Sequence, residues 1–178
     1  MLRNLKAILI DWPTTMTIPS LTRTKVGKRL DDAAIRAQWE AYASARLKTG
    51  VCDTLHSLSR VHHLHVVPLS LCGPSLTKTH HTRLWANLPV TDPICEDNGS
   101  FQVFRAMEAV GVTDVRSVLR VSQHKALIDE SLQAGVHCAG IGGEFEFRGI
   151  HPCFYEEQAF VGVDSFDELV ALIANLRT

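Results

Sequence analysis

An α/β fold, three layers built on a mainly parallel sheet, follows from three observations on this 178-residue chain. Short apolar runs of the kind found in strands buried on both faces alternate with segments of helical period. The first run, Leu5-Lys6-Ala7-Ile8-Leu9-Ile10, leads directly into Asp11. That order sets a carboxylate at the carboxyl end of a first strand, where open α/β sheets carry their chemistry. The length suits one domain over residues 1–178, enough chain to bury a substantial core.

The elements can be justified in order. Beyond Asp11, residues 16–30 carry Pro19, Gly27 and several basic side chains and read as loop. Asp31 and Asp32 mark a helix start, since carboxylates there face the positive end of the helix dipole. Ala33, Ala34, Ala37, Trp39, Ala41, Tyr42 and Leu47 carry that helix toward Gly50. Val51, Leu55 and Leu58 predict a helix over residues 51–60. Residues 64–70 predict a second core strand, although Pro68 cannot donate to a sheet ladder. A short helix is expected over 78–86 and a brief strand or loop at 90–92. Val103, Phe104, Met107 and Val110 fall on one side of a helix over 102–110, stopped by Gly111.

Strand 118–121, helix 125–134 ended by Gly135, and strand 136–141 come next. Residues 144–160 show no clear period and read as an irregular loop, the best place for an added interaction surface. Strand 159–163 then leads through Asp164 and Ser165 into a final helix near 166–176. Ser165 and Glu168 have the spacing of a capping box.

Eighteen basic against nineteen acidic residues leave no net field to attract nucleic acid or an anionic membrane. Five dispersed cysteines, odd in number and without a Cys-x-x-Cys pair, suit a reducing intracellular compartment, cytoplasm or organelle matrix. No apolar run reaches the ~18 residues of a membrane helix, and the first strand begins too early for a secretory signal. Met1-Leu2-Arg3 has the look of a trimmed targeting remnant.

Asp11-Trp12-Pro13-Thr14-Thr15 resembles the first motif of the haloacid dehalogenase (HAD) superfamily, most closely the Asp-Trp-Ala-Gly-Thr of phosphonoacetaldehyde hydrolases. The segment from Phe104-Arg105-Ala106-Met107-Glu108 to Ile141 is similar to that superfamily's third and fourth motif region, and residues 50–75 to the helix and strand of its second. The resemblance implies a HAD-like Rossmannoid three-layer sandwich. Residues 16–49 would be a much reduced cap, a loop and one helix.

It further implies Asp11 as a covalent nucleophile, Thr15 in the first motif, and Ser70, with Ser75 as the fallback, as the hydroxyl of the second. Pro13 stands where phosphomonoesterases carry a general acid; phosphonatases and dehalogenases manage without one. In place of the third-motif cation the chain has Glu96-Asp97-Asn98-Gly99-Ser100. In place of the fourth-motif carboxylates, which hold Mg²⁺ through hard oxygens, it has Ser122-Gln123-His124-Lys125. Asp11 and Gln123 are the magnesium ligands if that ancestral site survives; otherwise no cofactor is expected. Lys125 would serve as a displaced cation or as a metal excluder. Lys25 and Lys28 match the cap lysine of phosphonatases by region only, and read as a solvated basic loop.

His62, His63 and His65, with His80 and His81, lack carboxylate or cysteine partners at ligand spacing and read as surface histidines. Gly140-Ile141-Gly142-Gly143 reads as a turn rather than a phosphate loop. The expectation is a catalytically degenerate HAD-like domain kept as a binding or structural module in a larger protein assembly. Trp39, Trp85, Phe145, Phe147, Phe154 and Tyr155 are its candidate contact residues, with core packing the default for each. The alternative is a metal-independent HAD-type hydrolase, phosphonatase-like or dehalogenase-like, acting through Asp11. A sensor of a phosphorylated metabolite is a third possibility.

Overall fold

In the computed structural model the described residues are 2–12, 15–18, 46–70, 77–78, 81–95, 99–142, 153–155 and 158–177. The strands are β1 (Ala7–Trp12), β2 (Thr17–Ile18), β3 (Arg46–Leu47), β4 (His65–Ser70), β5 (Ile94–Cys95), β6 (Val118–Ser122), β7 (His137–Ile141), β8 (Cys153–Tyr155) and β9 (Gln158–Val163). The helices are α1 (Val51–His56), continued by a π-helical turn at Ser57–Val61, then α2 (Gly99–Ala109), α3 (Lys125–Gln133) and α4 (Phe166–Arg177). Among the described residues no helix is long and apolar enough to cross a membrane.

One sheet of seven strands runs in the order β5-β4-β1-β6-β7-β9-β8. Its first six strands are parallel, and only β8 pairs antiparallel, with β9. Alternation along β1 divides the core. Ile8, Ile10 and Trp12 face one layer, with Val51, Leu55 and Leu58 of the α1 region and Phe166, Leu169 and Ile173 of α4. Ala7 and Leu9 face the other, with Val103, Ala106 and Met107 of α2. Helix α3 covers Cys138 of β7 through Ile128 on that second side. This is the three-layer α/β architecture the strand pattern predicts.

Pro68 lies inside β4 without breaking it. His65 donates its N–H to Lys6 O on the β1 side, so Pro68, three residues on, faces away from β1. On that side β5 begins only opposite Leu69, and the missing donor deprives no ladder bond. Gly111 (φ 68°) and Gly135 (φ 86°) end α2 and α3 in the left-handed conformation, as their positions predict. The capping pair also forms, with a shift: Glu168 N–H donates to Ser165 Oγ at 3.2 Å, while the Glu168 carboxylate accepts from the N–H of Asp164 at 2.7 Å.

Other expectations change. Leu47 belongs to β3, paired antiparallel with Thr17, rather than to a helix; residues 31–45 of that expected helix lie outside the described ones. Of the two options at 90–92 the loop holds, with the edge strand following at 94–95, and the helix expected at 78–86 is a π-helical turn at His81–Trp85. Residues 144–160 are not irregular throughout, because β8 and the start of β9 lie within them. Trp85 is only 2% exposed, its ring edge-on to Trp12 with centroids 4.4 Å apart. It is a core residue, not a contact residue. Phe104, placed by its spacing on the packed side of α2, is 49% exposed.

Candidate active site

Asp11 lies near the carboxyl end of β1, flanked by β4, where Leu69 is its partner, and by β6. The preceding loop-free strand is buried on both faces, so a charge there must bring its own counterion. It does. Arg120, opposite Leu9 on β6, reaches Asp11 Oδ1 with two donors, Nη2 at 2.7 Å and Nε at 3.0 Å. Neither side chain of this ion pair has exposed surface.

The third arm of the guanidinium is held as well. Arg120 Nη1 donates to Ser131 Oγ on α3 at 3.0 Å, and the Ser131 hydroxyl donates to Leu127 O at 2.9 Å. Both donors to Asp11 thus converge on one oxygen, while Oδ2 is buried without a hydrogen bond. Thr15 has a hydroxyl in the same condition, with no exposed surface and no hydrogen-bond partner. Unmade hydrogen bonds of buried polar atoms cost about 1–3 kcal/mol each, so Asp11 Oδ2 and Thr15 Oγ1, four positions apart, mark where a ligand would be rewarded. Beneath the pair, burial pushes the Cys138 thiol up to about 12, which leaves it an inert core group.

Ser70, the second-motif candidate, ends β4 level with Trp12 and is 1% exposed. Its Oγ shares a 2.6 Å hydrogen bond with Thr77 Oγ1, and its carbonyl accepts from Gln102 Nε2 at 2.7 Å. Ser122 at the end of β6 is buried, its Oγ accepting the N–H of His124 at 3.0 Å, and Gln123 and His124 are half-buried before α3. Lys125, largely exposed at the start of α3, forms an i,i+4 ion pair with Asp129; the cation that hydrogen-bonds Asp11 is Arg120. Ser75, Lys25, Lys28 and residues 96–98 lie outside the described residues.

Magnesium does not suit this donor set. The cation needs several hard anionic oxygens, whereas Asp11 is already neutralised by a guanidinium and the fourth-motif positions present Ser122, Gln123 and His124. No group of three histidine, cysteine, aspartate or glutamate side chains capable of holding a metal occurs among the described residues.

Arg120 and Lys48 were missed in the sequence. An arginine inside the run Val118-Leu119-Arg120-Val121 was itself a signal, since a strand buried on both faces tolerates charge only when it is paired. Lys48 follows β3, its N–H bonded to Met16 O at 2.9 Å, one residue beyond Thr15. It is half-buried, and that burial lowers the proton affinity of its amine.

This architecture has known counterparts. The fold is HAD-like. A HAD family hydrolase from Deinococcus radiodurans R1, determined with bound phosphate and sodium, superposes with a TM-score of 0.71 at 14% identity, covering 97% of this chain and 96% of that one. A HAD-superfamily hydrolase from Ehrlichia chaffeensis gives 0.67 at 14% identity, with 97% of each chain covered. A structure described as a dehalogenase gives 0.69 at 16%, covering 97% of this chain and 98% of that one. At such identities the HAD-like likeness is one of fold. No family profile matches the sequence, and no curated protein matches it.

Proposed function

We propose that this HAD-like chain is a metal-independent hydrolase of the HAD type, with Asp11 Oδ2 as the covalent nucleophile. The observation that carries this reading is the division of labour within one carboxylate. Oδ1 is charge-balanced by Arg120, and Oδ2 is buried without a hydrogen bond. A carboxylate so arranged is oriented and charge-balanced without a metal, and arrives at the reaction with one oxygen already desolvated.

The step balances simply. Oδ2 bonds to the electrophilic carbon or phosphorus as the bond to the leaving group breaks, and the electron pair departs with that group. Water then cleaves the resulting ester or acyl phosphate, restoring the carboxylate and releasing the product with a proton. Pro13 cannot protonate the leaving group, so the substrate must expel a stable anion: a halide, a carbanion stabilised by a neighbouring carbonyl, or a nitrophenolate. The first is dehalogenase chemistry and the second is phosphonatase chemistry, the branch that Asp11-Trp12 resembles. Thr15 is the donor available to the developing negative charge.

The full burial of both Asp11 and Arg120 favours a second reading, a catalytically silent module in which the pair is structural. Turnover of 2-chloropropionate, phosphonoacetaldehyde and p-nitrophenyl phosphate, each with and without chelator, separates the two. The hydrolase reading expects chelator-insensitive turnover of at least one probe, lost by about 10³-fold or more in Asp11→Asn. No turnover of any probe refutes it in favour of the silent module.

A further inference from the structure

We propose that the cavity at the amino-terminal end of the sheet binds a small phosphate monoester, at a site separate from Asp11. The cavity measures about 390 Å³ and is lined by Arg3, Asn4, Leu5, Lys6, Asp114 and Ser117. It lies where two strands begin. Lys6 precedes β1, Ser117 precedes β6, and the N–H of Lys6 donates to Ser117 O at 2.8 Å. Asp11 stands further along β1, roughly 16 Å from Lys6 at the usual rise of a strand, so one small ligand does not reach both ends of the sheet.

The charges of the lining select the ligand. Asp114 supplies its carboxylate, and that group is already committed: Oδ1 accepts the N–H of Arg116 at 3.0 Å and Arg116 Nε at 3.3 Å. The Arg116 N–H above all, then its side chain and the charge of Lys6, hold the carboxyl below the usual carboxylate range. Ser117 is committed as well, its hydroxyl donating to Asp114 O at 2.7 Å. Arg3 and Lys6 remain, both exposed and neither in an ion pair among the described residues. With Asp114 balanced by Arg116, they set two positive charges on one cavity. A phosphate monoester brings a charge of about −1.5 to −2 and three acceptor oxygens, whereas a carboxylate answers only one of the cations. Arg3 can take two of those oxygens with its fork, and Lys6 the third as a point charge. The volume lies within the ~300–1,000 Å³ of small-molecule sites, which leaves room for an organic part between the Asn4 amide and the buried Leu5.

The probe is glycerol 3-phosphate, titrated into the whole chain at constant ionic strength, with glycerol and sodium chloride as controls. Calorimetry is expected to show saturable binding of the ester and none of glycerol. Nitrogen-15 NMR should place it, by shifts of the Asn4, Lys6 and Arg116 amides. The double variant Arg3→Gln with Lys6→Gln alters two exposed side chains and should keep the wild-type melting temperature. It should lose affinity about tenfold or more, the order expected when hydrogen bonds to a charged group are removed. No saturation by about 10 mM ester, or equal stabilisation by sodium chloride, overturns the proposal. So does undiminished binding in the double variant, or shifts confined to the Thr15 and Ser70 end of the sheet. The outcome is independent of turnover, because binding is read without a reaction.

Discussion

Replacing Arg120 with methionine would leave Asp11 as a carboxylate with neither water nor a counterion, since both members of the pair are 0% exposed. Breaking a buried pair from one side costs about 3–5 kcal/mol, because the residual charge keeps its desolvation penalty and loses its compensation. For a domain of this size about 1 kcal/mol corresponds to roughly 2–4 °C, so the melting temperature should fall by roughly 6–20 °C. Asp11→Asn strands the guanidinium instead and should fall in the same direction. The double variant, Asp11→Asn with Arg120→Met, carries no buried charge and should recover most of the loss, apart from about 1–3 kcal/mol for an amide without full hydrogen bonding. Urea unfolding at constant m-value supplies the four free energies of the cycle. A coupling energy below about 1 kcal/mol, or single variants that lose less than that, would refute the reasoning: the pair would then be hydrated, and Oδ2 would not be a desolvated oxygen.

Two further outcomes follow from burial. His137, at the start of β7, has its pKa lowered from the ordinary 6.5, chiefly by desolvation. The unfolded chain therefore binds the proton more readily, and stability should be full above pH 6.5 and decline as pH falls through that value toward the folded-state pKa. Denaturation midpoints measured across that window should show a shallower decline in His137→Gln. Lys48, whose amine is also shifted down by burial, should be modified ahead of the other lysines among the described residues as the pH of an acylating reagent is raised. Peptide mapping that finds it modified last would contradict the shift.

The strands of this fold were legible because burial on both faces forces unbroken apolar runs. β1, β4, β6 and β7 lie within a residue or two of where Ile8, Val66, Leu119 and Ala139 predict them. Asp11 was legible for the same reason, as the first charge after such a run. What could not be read locally was what the third dimension supplies. β5 is a strand only because β4 leaves its Leu69 and Ser70 edge open, which says nothing in advance about residues 94 and 95. Trp85 was open between core packing, the default for such an aromatic, and a contact surface; its packing partner, Trp12, comes from a distant part of the chain. Arg120 announced a buried charge without naming Asp11 as its counterion, and Lys125, expected as a displaced cation or a metal excluder, has a partner in Asp129 one helical turn away. Residues 19–45, 71–76 and 143–152, where most of the expected cap and loop features fall, lie outside the described residues.

The counterion of Asp11 lies 109 positions later in the chain. On a ribosome adding about 5–20 residues per second, β1 emerges roughly 5–20 seconds before the strand that completes it. Through that interval Asp11 can only be satisfied by water, so any early collapse that buries β1 against β4 carries an unpaid ionic cost and is pushed back open. Burial of β1 with its charge compensated thus requires β6, so the carboxylate at the candidate site ties closure of the first half of the sheet to the presence of the second.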